Sequence, residues 1–358
     1  MTQAMIEDPF KHTFGHAPDV SGFTPGRVNL IGEHTDYNGG RVLPTALRLG
    51  VTLALSARDD GRVRIQSDKF DDLAERSIDD PAQDHWSDYI VGALQFTRHE
   101  GFGPNGADVR VTTTLPFGAG ISSSAAVTVG TLRAARDLSS SGQSATDLAI
   151  LARRVENDFI GMPCGIMDQM AVAISRPGQA LALDTKTLDF NVIDLPNTHH
   201  MAVIHSGIFR QLNEGRYKVR KEECDALKAA LGHDDLCLMT EAEFASIQHV
   251  DAHLIRRARH CMSEHRRTVK AAKALRDQRM EDFGALMNQS HLSMRDDFEI
   301  SVEPVDALVD DAQTFGATGA RLTGGGFGGC IVACVETDRL DEWRDRLLVA
   351  HPNAFWVC

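Results

Sequence analysis

The sequence lacks the patterns that most often announce metal or redox chemistry. It holds no CxxC and no HExxH, and its adjacent His199-His200 pair is not at helical ligand spacing, so no protein-only metal site is expected. Seven cysteines (Cys164, Cys224, Cys237, Cys261, Cys330, Cys334, Cys358) are odd in number and scattered, which suits reduced thiols better than a disulfide framework. No apolar run approaches membrane-spanning length, and Met1 to Pro9 has neither a basic start nor the apolar core of a signal segment, so a cytoplasmic protein is expected. Positive charge is in deficit. With 37 Lys and Arg against 50 Asp and Glu, the net charge of -13 repels phosphate backbones and anionic lipid, so neither nucleic acid nor membrane is an expected partner. Aromatics are sparse too, with three Trp and three Tyr, so a close pair of them stands out.

What is present is a globular composition, 42% hydrophobic and 24% charged. A chain of 358 residues exceeds what one core usually fills, which predicts two domains, 1–195 and 196–358, divided around Leu195-Pro196-Asn197. The first half reads as strands at Val42–Leu47, Leu49–Ser56, Arg62–Gln66 and Ala107–Thr114, with helices at Trp86–His99 and Ala145–Phe159. Ser67 to Asp84 is acidic and aperiodic, a surface connection. Short strands follow at Leu181–Asp184, Phe190–Leu195 and Met201–Ser206. Beyond them helices dominate, at Gly215–Leu231, Glu241–Ile247, Ala252–Ser263, Glu264–Arg279 and Phe283–Phe298. Cys330 and Cys334 share a face of an apolar strand and read as core.

Three stretches carry chemistry. In Pro25-Gly26-Arg27-Val28-Asn29-Leu30-Ile31-Gly32-Glu33-His34-Thr35-Asp36-Tyr37-Asn38-Gly39-Gly40, the apolar run buries itself, whereas Glu33, His34 and Asp36 are costly to bury without partners. Three hydrogen-bonding side chains within four residues suit a polyol, and a polar turn closed by Asn38-Gly39-Gly40 is the competing reading. The second stretch, Leu115-Pro116-Phe117-Gly118-Ala119-Gly120-Ile121-Ser122-Ser123-Ser124, follows a strand and opens a helix, so unpaired backbone N–H groups and the helix dipole favour a phosphate there. It is neither GxGxxG nor a Walker loop, and an ordinary serine cap competes with the phosphate reading. The third, Gly316 to Cys330, is so rich in Gly that close backbone approach to a ligand or another segment is its natural use. Asp168, in Cys164-Gly165-Ile166-Met167-Asp168-Gln169, is open between a helix cap and a catalytic carboxylate. Trp86 and Tyr89, one turn apart, are open between core and a purine wall.

Taken together, Gly26 to Asn38, Pro116 to Ala125 and Leu322-Thr323-Gly324-Gly325-Gly326-Phe327-Gly328-Gly329 resemble the three motifs of the GHMP small-molecule kinases, and the first is nearly the signature of the galactokinase family. The segments Cys164–Gln169 and Phe283–His291 extend the resemblance in the expected order, although His205–Arg210 departs from the family pattern and Asn213–Tyr217 matches only in part. The resemblance implies an α+β fold of two domains, mixed and antiparallel sheets flanked by helices, with the active site in the cleft between them. It implies ATP-dependent phosphorylation of the anomeric hydroxyl of galactose, giving α-D-galactose 1-phosphate and ADP, the committing step of galactose catabolism, by a monomer or weak oligomer. By its motifs, Arg27 and Asp168 are the catalytic pair, and Glu33, His34, Asp36, Gly165 and Tyr217 bind the sugar. Trp86 and Tyr89 flank the adenine, Gly118, Ala119, Gly120, Ile121, Ser122, Ser123 and Ser124 hold the phosphates, and Ser124 and Glu156 hold Mg2+. Two rivals share parts of this pattern: a kinase of a related sugar such as arabinose or N-acetylgalactosamine, and a non-catalytic sensor of galactose and ATP. A dinucleotide oxidoreductase does not fit, because neither glycine loop has the βαβ fingerprint.

Overall fold

The computed structural model describes residues 9–116, 118–209 and 214–358. Phe117, Arg210 and Asn213, quoted above, lie outside them. In chain order the elements begin α1 (Pro9–Phe14), β1 (Val20–Asn29), β2 (Arg41–Val42), β3 (Pro44–Arg58), β4 (Arg62–Ser67), β5 (Ala74–Ser77), α2 (Asp88–His99), β6 (Gly106–Thr113), α3 (Ser123–Ser139), α4 (Ala145–Arg154) and α5 (Met167–Ile174). They continue β7 (Gln179–Asp184), β8 (Phe190–Asp194), β9 (His199–His205), α6 (Glu214–Leu231), α7 (Glu241–Ala245), α8 (Ala252–Arg276), α9 (Met280–Asp296), α10 (Glu303–Thr314), β10 (Gly319–Thr323), β11 (Cys330–Glu336), α11 (Leu340–Ala350) and β12 (Phe355–Trp356).

Contacts divide this chain into two units, each assembled from separated stretches. The first comprises the residues up to Gly26, Arg48–Leu115 and Ser122–Ile174; the second comprises Arg27–Leu47, Pro116–Ile121 and Ser175–Cys358. This differs from a single cut between 195 and 196. The reason is that β1 and β3 are long strands, each of which crosses the division, so the sugar-type stretch between them leaves its sequence neighbours.

In the first unit β3 pairs antiparallel with β6, from Val51 opposite Thr113 to Arg58 opposite Gly106; β6 pairs parallel with β4, and β4 antiparallel with β5. Strand β5 corrects the expectation of a mere connection over Ser67–Asp84. Its inward positions are Ala74 and Arg76, and the Arg76 guanidinium is buried because Asp88, Ser87 and the Pro81 carbonyl accept its protons at 2.8–3.1 Å. A hydropathy pattern cannot recognise a charged residue facing inward. Helix α2 starts at Asp88, not Trp86, since the Asp88 carboxylate accepts the N–H groups of Gln83 and His85 and holds the preceding segment as a loop. Helices α2, α3, α4 and α5 meet through Ala93, Ala125, Val129, Leu132, Ala135, Leu148, Ala152 and Val172, whose small and branched side chains let backbones approach. Helix α4 opens on a capping box between Ser144 and Asp147 and runs on into a single π turn, Val155–Phe159.

In the second unit β10, β11, β9 and β12 form an antiparallel sheet in that order, with Cys330 opposite His205 and Thr323 opposite Cys330. The apolar run Cys330–Val335 is buried along its whole length, and both cysteines are core as expected. Met294, Phe298, Leu308, Val309, Leu322 and Trp343 fill the space between this sheet and its helices. The two helices expected over Ala252–Arg279 are one, because no Gly or Pro interrupts the run between Ala252 and Arg276. Helix α10 and strand β10 were not anticipated. The close backbone approach expected of this glycine-rich stretch is to another segment at Gly319: a Cβ there would lie 2.4 Å from the Gly284 carbonyl oxygen on α9, so helix and strand pack backbone to backbone. Elsewhere in this unit β2 pairs with β7, β7 with β8, and Thr45 of β3 lies opposite Ala180.

Candidate active site

In the second unit, Val28, Leu30 and Ile31 are wholly buried and anchor the stretch that follows β1. The chain then turns at Gly32, whose φ is +100° and where a Cβ would stand 2.6 Å from the Arg41 carbonyl oxygen, so only glycine fits. Thr35 closes the turn by donating toward the carbonyls of Gly32 and Arg41 at 2.9 Å. Beyond the turn Glu33 and His34 are buried, and Asp36 is half-buried. His34 holds a left-handed φ of +60°; its Nδ1 is 2.6 Å from the Tyr37 hydroxyl, its carbonyl accepts the Asn38 amide, and its ring packs 5.3 Å from Tyr217 of α6 and 4.7 Å from Phe298. Four of the five expected sugar residues, Glu33, His34, Asp36 and Tyr217, thus belong to this unit.

Glu33 is held by residues that motif reading did not single out. Its Oε1 accepts the Gly324 N–H at 2.7 Å and lies 3.1 Å from the Thr323 hydroxyl and 3.5 Å from the Arg321 guanidinium. Arg321 is fully buried, and so is Glu264, whose Oε1 accepts the Gly32 N–H and the Ser290 hydroxyl while Oε2 accepts Arg267. Burial by itself pushes the Glu264 carboxyl up, but the Arg267 and Arg321 guanidiniums overcome it and hold the group at about 2. His260, whose Nε2 donates to the Glu33 carbonyl at 3.1 Å, is pushed down to about 4 by burial and is neutral. A lone Glu on a long basic helix carries no local mark of this role.

Arg27 is also buried in the second unit. Its guanidinium donates to the Gly120 carbonyl at 3.1 Å and its N–H to the Ile121 carbonyl, and Cys330 of β11 reaches the Ala119 carbonyl at 3.3 Å. Gly118, Ala119, Gly120 and Ile121 are thereby tied to the first and third motifs. The Ala119, Gly120 and Ile121 carbonyls of this loop are thus taken up by hydrogen bonds within the unit.

In the first unit the loop continues as Ser122, Ser123 and Ser124 at the start of α3. Ser122 has a left-handed φ of +62° and donates its hydroxyl to Asp168 Oδ2 at 2.5 Å; its side chain does not cap the helix, which excludes the ordinary cap reading for this serine. Asp168 sits in the first turn of α5, half-buried, just beyond the buried Gly165. The π turn carries Glu156, buried, whose Oε1 accepts the Gln169 amide at 2.8 Å. Glu156, Asp168 and Gln169 therefore form one acidic, oxygen-rich region beside the first turn of α3. Trp86 stacks on Phe70, ring centroids 4.8 Å apart and planes within 9°, and Tyr89 is half-buried on α2. Among the described residues no group of three or more His, Cys, Asp and Glu is arranged to hold a metal ion. No helix among the described residues is long and apolar enough to cross a membrane.

Comparison with known proteins matches three family descriptions along the chain: the galactokinase galactose-binding signature over residues 8–57, the GHMP kinases N terminal domain over 88–176 and the GHMP kinases C terminal domain over 271–350. Among solved structures, the galactokinase of Lactococcus lactis complexed with galactose is 31% identical, with a TM-score of 0.91 over 97% of this chain and 95% of that one. The mevalonate kinase of Methanococcus jannaschii (20% identity, TM-score 0.72, 96% and 98% covered) and the phosphomevalonate kinase of Streptococcus pneumoniae (14%, 0.71, 95% and 98%) share the fold. The α+β architecture, the motifs in their order and these likenesses agree: the chain belongs to the galactokinase family of the GHMP kinases, and is a sugar kinase.

Proposed function

We propose that this enzyme transfers the γ-phosphoryl group of ATP to the anomeric hydroxyl of galactose, releasing α-D-galactose 1-phosphate and ADP. The observation that carries the reading is the 2.5 Å hydrogen bond from Ser122 to Asp168, which holds a carboxylate at the start of the helix whose N-terminus suits phosphate. Phosphoryl transfer passes through a loose transition state, so catalysis consists mostly of alignment and charge neutralisation. Asp168 accepts the proton of the attacking hydroxyl, and the Ser122 donor keeps its oxygens aimed. Arg27, fixed to the Gly120 carbonyl, supplies positive charge for the γ-phosphate. Glu33, His34, Asp36, Gly165 and Tyr217 read the sugar, and Trp86 and Tyr89 flank the adenine.

Ser124 and Glu156 are the residues that would hold Mg2+, since a hydroxyl and a buried carboxylate are the hard oxygen donors that ion takes. Bound with ATP, the ion neutralises charge on the phosphate oxygens. Seven cysteines outside any disulfide support a cytoplasmic enzyme.

The test is ADP release with galactose, its 2-deoxy and 4-epimer forms, arabinose and N-acetylgalactosamine. Galactose is expected to give the highest kcat/KM, and a higher value for another sugar reassigns the substrate. In Asp168→Asn, turnover should fall by about a hundredfold or more while calorimetry still detects galactose binding; turnover like that of the parent enzyme would remove Asp168 from the chemistry.

A further inference from the structure

Around Glu33 lie four buried or nearly buried charges in one unit: two carboxylates, Glu33 and Glu264, and two guanidiniums, Arg321 and Arg267. They balance. Arg321 lies between the two acids, 3.5 Å from Glu33 Oε1 and 4.0 Å from Glu264 Oε1, and donates to the Asn29 carbonyl at 3.1 Å. Glu264 in turn holds the Gly32 N–H at 2.9 Å. Thr323 Oγ1, 2.9 Å from the Asn29 carbonyl and 3.1 Å from Glu33 Oε1, shares its one proton between them and accepts the Asn29 N–H. Ahead of Glu33, Asn29 is thus pinned by β10 and Gly32 by Glu264 of α8, and the Gly324, Thr323 and Arg321 contacts of the Glu33 carboxylate all reach Oε1. No described residue is hydrogen-bonded to Oε2.

We infer that Arg321, with Glu264 and Thr323, is a positioning device for Glu33: it fixes one carboxylate oxygen so that the other is presented to a hydroxyl of the sugar. The inference rests on the reading of Glu33 as a sugar ligand and deepens it, because it moves part of sugar specificity into strand β10 and the middle of α8. A buried carboxylate left without its guanidinium would reorient toward water or another donor, and the hydroxyl would lose its acceptor. Arg321 touches neither sugar nor phosphate in this scheme. Its removal should change how the sugar is held, not how ATP is held.

A double-mutant cycle with Glu33→Gln separates positioning from general support of the fold. Arg321→Lys keeps the charge but cannot span the Asn29 carbonyl and both acids, and is expected to raise the galactose KM about tenfold, the loss of one hydrogen bond to a charged group, with kcat and the ATP KM within about twofold. In the Glu33→Gln background the same substitution should raise it by less than about twofold. Thr323→Val, which deletes one hydroxyl, repeats the cycle with a smaller effect and decides the matter if Arg321→Lys does not fold. An equal rise in both backgrounds, or an ATP KM that rises with the sugar KM, overturns the inference while leaving Glu33 a sugar ligand. A Glu33→Gln enzyme with unchanged galactose KM overturns the sugar reading of Glu33 and this inference with it.

Discussion

Ser122 holds a left-handed backbone conformation, which costs a non-glycine residue about 1 kcal/mol or more, and spends its hydroxyl on Asp168 instead of on the helix it precedes. Strain of this kind persists where the surroundings over-determine it. Ser122→Ala should lower kcat about tenfold and leave the galactose KM within about twofold, because it removes one donor that aims the Asp168 carboxylate without touching the sugar residues; steady-state kinetics with both substrates checks this, and an unchanged kcat means Asp168 does not depend on that donor. Asp36→Ala should do the reverse, raising the galactose KM and sparing kcat, and an unchanged KM places this acid outside sugar recognition. The residue types at these sites were legible in the sequence, but their roles were legible only in part. Asp168 was open between cap and base, and Trp86 between core and purine wall. No local signal pointed to Arg321 or Glu264, since an Arg in a strand and a Glu among helical basic residues look solvated until their partners are known.

At the scale of elements, the turn at Gly32 joins a buried strand to a polar floor. Gly32→Ala places a Cβ against the Arg41 carbonyl at a φ of +100° and should destabilise the protein by about 2 kcal/mol or more. Urea denaturation measures it; a change below about 0.5 kcal/mol would mean that the turn relaxes. Several helices were legible from apolar periodicity to within a few residues, as α4, α6 and α9 illustrate, whereas α1, α5 and α10 were not. Three features escaped for identifiable reasons. Strand β5 carries an inward Arg76 whose partners lie on the loop before α2, the π turn that buries Glu156 is a backbone event invisible to periodicity, and β10 contains a glycine that only a facing glycine on α9 explains.

For the whole molecule, the buried His260 and Glu264 make stability depend on pH. Burial lowers the His260 value from 6.5 to about 4, so between those limits the unfolded chain binds a proton that the folded chain refuses; stability falls as pH drops from 6.5 to about 4, by about 3 kcal/mol. Glu264 is held at about 2 against an ordinary 4.5, so its contribution is present above pH 4.5 and is lost as pH falls toward 2. Denaturation midpoints should therefore decline continuously from pH 6.5 downward, and His260→Gln should flatten the upper part of that decline and leave the lower; a parent-like slope in the variant would assign the upper part to other groups. The sequence by itself determined the class of fold, the order of the motifs and the kinds of donors and acceptors available, because periodicity, turn chemistry and helix-end chemistry act over a few residues of chain. Only the tertiary structure decided which partners the buried charges meet: Glu33 meets the Gly324 N–H, 291 residues away, and Glu264 the Gly32 N–H, 232 residues away. A buried charge is tolerable only beside a specific partner, and the choice of partner belongs to packing, not to local sequence.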